Sequence, residues 1–313
     1  MKTANYILKI NGLTVPRGTI SILALKELID ILVESSEKAL RLSVEGTSSK
    51  KGQLPAWLRN SVDYTITGLR KGSTKILISA PELIETAQEE LMQPDLWNIL
   101  PKQDDTALSI LIRAANDAIN KNNESSYLDS SLLSSLLSFD NFIGSYAKSF
   151  ELFSENGRSE KIKIESKQIE NIREFKKKIP EQQKVILSGL FNEIEHTEGK
   201  FRLKLNDGTT ITGEIDREFI DKERMRSLWG KTATVRGIAE FKPNKYIRYI
   251  KADLIKQYEE RESILLNNTS QEEPLLLFER VQPLKQLTNP LKELWGAWPG
   301  DESIEELLKE LED

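Results

Sequence analysis

Residues Phe201–Ile215 read FRLKLNDGTTITGEI. Two runs with alternating apolar residues, Phe201–Leu205 and Thr209–Ile215, flank Asn206-Asp207-Gly208, a combination that turns a chain tightly and predicts a β-hairpin. The β-branched pattern continues outward on both sides. Val185–Glu195 precedes the hairpin as a strand, while Lys231–Phe241 and Lys245–Ile255 follow it as two more, turning at Pro243-Asn244. Between the hairpin and the last pair lies DREFIDKERMRSLWG, short, charged and helical in character, with Gly230 placed as its stop. The order is therefore three strands, a helix and two strands.

That order resembles a five-stranded OB-like barrel, in which a helix plugs the gap between the third and fourth strands; an SH3-like barrel is the competing reading. The resemblance rests on strand order over residues 181–257. By it, the candidate nucleic-acid contacts are Arg202 and Lys204 on the second strand and Arg248 and Lys251 on the fifth. Strict alternation through YIRYIK places Tyr246, Arg248 and Ile250 on one face and Ile247, Tyr249 and Lys251 on the other, so neither face is wholly aromatic and basic. A barrel serving as a scaffold or protein contact fits the same pattern.

Upstream, Tyr6–Ile10 alternates like a strand and Asn11-Gly12 marks a turn. From Thr19, Ile22, Leu25, Leu28, Ile29 and Leu32 recur at the spacing of one long amphipathic helix. Two strands follow within SVDYTITGLRKGSTKILISAP, joined around Arg70–Gly72, and a helix is expected just after Pro81, where Glu82 and Glu85 complement its N-terminal dipole. DDTALSILIRAANDAINK and SYLDSSLLSSLLSFDNFIGSYAKSFELF read as two further helical segments, before a strand, KIKIE, and a helix opened by Ser166. The expected class is α+β: a mixed α/β domain over 1–180, the barrel over 181–257, a connector over 258–293 and a helical tail over 294–313. In GTSSKKGQLPAWLR, Lys50, Lys51, Trp57 and Arg59 have a composition suited to phosphate contact, against a plain surface loop with Trp57 and Leu58 in the core.

Composition removes several kinds of chemistry. The chain of 313 residues has no cysteine, so disulfides, thiol nucleophiles and Cys-type zinc sites are excluded. Its one histidine, His196, falls in the expected hairpin loop IEHTEGK beside acids, where a solvated turn residue is a better reading than a general base. GLRKGSTKI lacks the P-loop spacing and sits in a hairpin. No catalytic, metal or cofactor site is expected, although a carboxylate-only magnesium site gathered from distant segments is left open. A net charge of -5 argues against a general polyanion binder while leaving room for a local basic face. The first residues lack a signal-peptide core and no run reaches the length of a membrane span, so the expected setting is the cytoplasm, with no membrane partner.

The chain ends in LWGAWPGDESIEELLKELED, Leu294–Asp313. Pro299-Gly300 breaks any preceding helix, Ser303 and Glu306 have capping-box spacing, and Ile304, Leu307, Leu308 and Leu311 form one stripe among acidic residues. A helix this short needs a surface to fold against, its own chain's or a partner's. The segment resembles the C-terminal ends of bacterial antitoxins encoded beside PIN-domain ribonuclease toxins. The resemblance implies a non-enzymatic regulatory protein of a toxin-antitoxin system, with Trp295, Trp298, Asp301, Glu302, Ile304, Leu307, Leu308 and Leu311 as contacts to a small ribonuclease. It departs in that the preceding domains have neither ribbon-helix-helix nor AbrB-type character. A nucleic-acid-binding protein using the barrel and the Lys50/Lys51 loop is the second reading.

Overall fold

Tyr6, Leu8 and Ile10 point to one side of β1 (Thr3–Asn11), and this alternation organises the first half of the molecule. In the computed structural model, which describes residues 2–16, 18–49, 52–70, 74–92, 100–155, 161–195, 199–215 and 227–258, β1 is the middle strand of an antiparallel sheet. Its neighbours are β2 (Thr65–Arg70), β3 (Thr74–Pro81), β4 (Ser149–Ser154) and β5 (Lys161–Glu165), in the order β2-β3-β1-β4-β5. Register brings Leu69, Ile76, Leu8, Leu152 and Ile162 into one row across all five strands.

Helices cover the apolar side of this row. The long amphipathic helix is α1 (Ile22–Glu45), opened by Ser21, whose hydroxyl accepts from the Ala24 amide at 3.2 Å, and closed by left-handed Gly46. A short α2 (Ala56–Ser61) places Leu58 in the core and Trp57 against it. After Pro81 come two short pieces, α3 (Leu83–Thr86) and α4 (Gln88–Met92). α5 (Ala107–Ile119) begins at a capping box between Thr106 and Ser109 and packs between α1 and α8 (Ser166–Lys178).

The stretch read as one helical segment from Ser126 to Phe153 divides into α6 (Ser130–Leu137), α7 (Phe139–Ser145) and β4. SFELF is a strand because burial alternates there: Phe150 and Leu152 are fully buried opposite Ile10 and Leu8 of β1. Its apolar residues recur at period two, a signal that the helical spacing just before it obscured.

A second sheet closes on itself. Its strands are β6 (Gln183–Glu195), β7 (Lys200–Lys204), β8 (Thr210–Ile215), β9 (Thr232–Phe241) and β10 (Ile247–Gln257), ordered β10-β8-β7-β6-β9 with β9 again beside β10. Among the described strands only β8 and β10 run parallel. The two sheets share no strand. Phe191 and Phe201 stack inside the barrel with ring centroids 5.3 Å apart, among Val185, Leu203, Ile211, Val235 and Ile250. Most of the helix expected at 217–228 lies outside the described residues; residues 227–228 are helical and lead to Gly230 at φ +71. No helix among the described residues is long and apolar enough to cross a membrane.

Candidate binding surfaces around the barrel junction

The two sheets meet through polar side chains of β9 and β10. Register between these strands slips between Ile247 and Tyr249, leaving Arg248 as an extra, bulged residue with no partner opposite. The bulge breaks the strict alternation expected for YIRYIK: Ile247 and Ile250 are both buried, while the Tyr249 hydroxyl reaches Glu214 on β8. From the bulge Arg248 reaches out of the barrel, donating from Nη1 to the Ser126 carbonyl at 2.7 Å and from Nη2 to the Leu128 carbonyl at 2.9 Å. Those carbonyls belong to the connection between α5 and α6, which has no ladder to receive them. Arg248 is thus engaged in holding the two halves together and is no open cation for nucleic acid.

Beside it, Glu240 joins three segments. Its carboxylate accepts from the Thr47 hydroxyl at 2.9 Å and from the Gln182 amide at 2.8 Å. Burial, and next the Asp129 carboxylate, push the Glu240 carboxyl up to about 7, against the opposing pull of the Thr47 hydroxyl, Arg248 and Lys251. Asp129 is itself committed: it caps α6 at the Leu132 amide and accepts from both the amide and the hydroxyl of Ser48. The Tyr249 hydroxyl donates to Glu214 at 2.8 Å, and burial together with that carboxylate raises its pKa strongly. Burial lowers Arg248 below the usual guanidinium range.

The remaining candidates are dispersed. Arg202, on β7, lies 3.3 Å from Glu193, whereas Lys204 at the end of the same strand is exposed between Leu190 and Thr210. Lys251 is half-buried on β10 facing Glu240, and Arg59 is exposed on α2, donating to the Leu54 carbonyl. Arg59, Lys204 and Lys251 therefore lie on three separate elements. Lys50, Lys51 and His196, with Trp295, Trp298, Asp301, Glu302, Ile304, Leu307, Leu308 and Leu311 of the tail, lie outside the described residues. Among the described residues no group of three or more His, Asp or Glu is placed to hold a metal ion.

Two features had little signal in the sequence. Trp229 is 69% exposed, and its indole N–H donates to the Asn192 carbonyl at 2.9 Å, which holds the ring on the barrel surface. The turn between β9 and β10 approaches the connection that follows α5, where the Asn244 side-chain amide donates to Glu124 at 3.3 Å. That approach also brings Lys242 within electrostatic reach of Glu124. Comparison with protein-family models, with curated proteins and with solved structures gives no match.

Proposed function

We propose that this chain is a non-enzymatic regulatory protein, antitoxin-like, whose C-terminal segment binds and restrains a basic partner, a PIN-type ribonuclease by the resemblance of that segment. The observation that carries the reading is how charge divides along the chain. Residues 259–313 hold 14 Asp and Glu against five Lys and Arg, whereas the 258 residues before them hold 39 basic and 35 acidic side chains. The acidic excess therefore belongs to the segment bearing Trp295, Trp298 and the leucine stripe, a combination of anchor and steering charge suited to a cationic protein surface. The test is RNA cleavage by a purified PIN-type ribonuclease, from the neighbouring gene where that gene encodes one, titrated with the full chain. Stoichiometric inhibition that is lost in Trp298→Ala is the expected result. Cleavage unchanged at equimolar chain overturns the reading.

A second reading, nucleic-acid binding through the barrel, is favoured by one specific observation. The barrel closes in the circular order β6-β7-β8-β10-β9 with β8 parallel to β10, which supports the OB-like reading over the SH3-like alternative. A labelled oligonucleotide that shows no anisotropy change with the full chain at 50 mM salt removes this second reading.

A further inference from the structure

Among the described residues, two non-glycine residues have positive φ: Lys121 at 55° and Lys245 at 70°. Both occupy positions where glycine is the usual solution. Lys121 follows the C-cap of α5, and the Asn122 amide donates to the Asp117 carbonyl while the Lys121 amide donates to the Ala118 carbonyl. That pattern is a Schellman motif, with Lys121 at its left-handed site. Lys245 is the third residue of the loop Pro243–Lys245 joining β9 to β10, the left-handed position of a three-residue hairpin. A long side chain at such a site is held against a backbone preference, and such sites concentrate where function requires the side chain.

These two lysines belong to one surface. Lys121 lies three residues from Glu124, which accepts from Asn244, the neighbour of Lys245. On its other side Lys121 lies 2.6 Å from Glu174 of α8, and that carboxylate also feels Lys177 and Lys178. Lys242 completes the group at the start of the turn, close to Glu124 and Arg248; burial first, and then the Arg248 charge, lower its pKa. Lys177, Lys178, Lys242 and Lys245 make no ion pair among the described residues, and the Lys121 pair with Glu174 is an exposed one of small net worth. Lysines at the end of α8 also complement its dipole, but that accounts neither for Lys242 nor for lysine at two glycine sites.

We propose that this lysine rim, Lys121, Lys177, Lys178, Lys242 and Lys245, binds the sugar-phosphate backbone of a nucleic acid across the junction of the two halves. The inference rests on the nucleic-acid reading above and moves its site from the outer face of β7 to the β9–β10 turn and the helix ends beside it. Five ammonium groups without an accompanying planar fork or aromatic pocket suit phosphates in succession and give affinity without base selection. Arg248 is needed because it fastens the barrel's share of the rim to the α5 share.

The experiment is fluorescence anisotropy of a labelled 20-nucleotide single strand, as DNA and as RNA, and of the DNA duplex, with the full-length chain at 50 and 200 mM salt. Contact with four phosphates of a single strand predicts about fiftyfold weaker binding at the higher salt. Lys121→Gly combined with Lys245→Gly should weaken binding at least tenfold at 50 mM salt while raising the thermal unfolding midpoint, because glycine suits both left-handed sites. No binding by the wild-type chain at 50 mM salt overturns both the rim and the nucleic-acid reading. Unchanged affinity in the glycine variant, with loss of binding in Arg202→Glu/Lys204→Glu, overturns the rim alone. A lowered midpoint in the glycine variant overturns it too, since the lysines would then be structural.

Discussion

The Arg248 guanidinium reaches the Ser126 carbonyl at 2.7 Å, joining the last barrel strand to a helix connection 122 residues earlier in the chain. With the second bond to Leu128, this contact replaces water at two backbone acceptors that belong to no ladder. Arg248→Ala should lower stability by about 2 to 4 kcal/mol, because it removes two charge-assisted bonds, leaves two carbonyls unpartnered and takes away a positive charge near Asp129 and Glu240. Urea unfolding should then split into two transitions, one for each sheet. A single transition at the wild-type midpoint would show that the halves are joined by other means.

Glu240 makes stability depend on pH near neutrality. Its folded value of about 7 lies above the ordinary 4.5, so the folded state holds a proton between those values that the unfolded state has released. Stability from this group is full below the unfolded value and is lost as pH rises through about 7, by about 1 to 3 kcal/mol. Glu240→Gln should stabilise the protein at pH 8 relative to wild type and flatten the decline between pH 5 and 8. A wild-type stability that rises over that interval, with the variant following it in parallel, would assign the dependence to other groups.

Close packing around two barrel glycines predicts unequal costs for the same small substitution. A Cβ on Gly237 would strike the Lys251 carbonyl and come within 2.7 Å of the Ala252 Cα, both backbone atoms of the adjacent strand. Gly237→Ala should therefore cost about 2 to 4 kcal/mol and loosen the barrel's closure. At Gly144, within α7, the added methyl meets nothing within 4 Å. Gly144→Ala should stabilise by about 0.5 to 1 kcal/mol through helix propensity. Thermal unfolding of the two variants decides the matter, and equal midpoints would contradict the register assigned between β9 and β10.

The tail should carry partner affinity while adding little to the stability of what precedes it. Trp298→Ala should cost about 2 to 4 kcal/mol of binding to the proposed partner if that indole is a buried anchor. Binding should also weaken with salt, as the acidic residues of the segment imply. Deleting Leu294–Asp313 should leave the unfolding midpoint within about 1 °C, on the scale at which 1 kcal/mol moves it by several degrees. A truncated chain that aggregates or melts early would mean that these residues pack on their own protein.

Local pattern carried much of the architecture. The Asn206-Asp207-Gly208 turn, the alternation of β1 and the 3.6-residue spacing of α1 each arise from interactions within a few residues, so each could be read directly. SFELF could not, because a short apolar run suits a helix or a strand until its partner is known. Its strand identity comes from Leu8 and Ile10 of β1, far away in the chain. The candidate site was less legible. Strict alternation puts Arg248 and Lys251 on opposite faces of one strand, and nothing in YIRYIK announces the bulge between Ile247 and Tyr249 that turns Arg248 into a clasp between the sheets.

By itself the sequence determined the periodicities, the turn chemistry, the absence of thiol chemistry and the separation of an acidic segment from the rest, all properties of neighbouring residues or of simple composition. Only the tertiary structure decided that five strands close with β8 parallel to β10, that Glu240 is half-buried near Asp129, and that Asn244, beside Lys245, reaches Glu124, three residues from Lys121. The physical reason is range. Hydrogen-bond register, desolvation and charge crowding depend on which distant residues come within a few ångströms of one another, and no local pattern of side chains encodes that proximity.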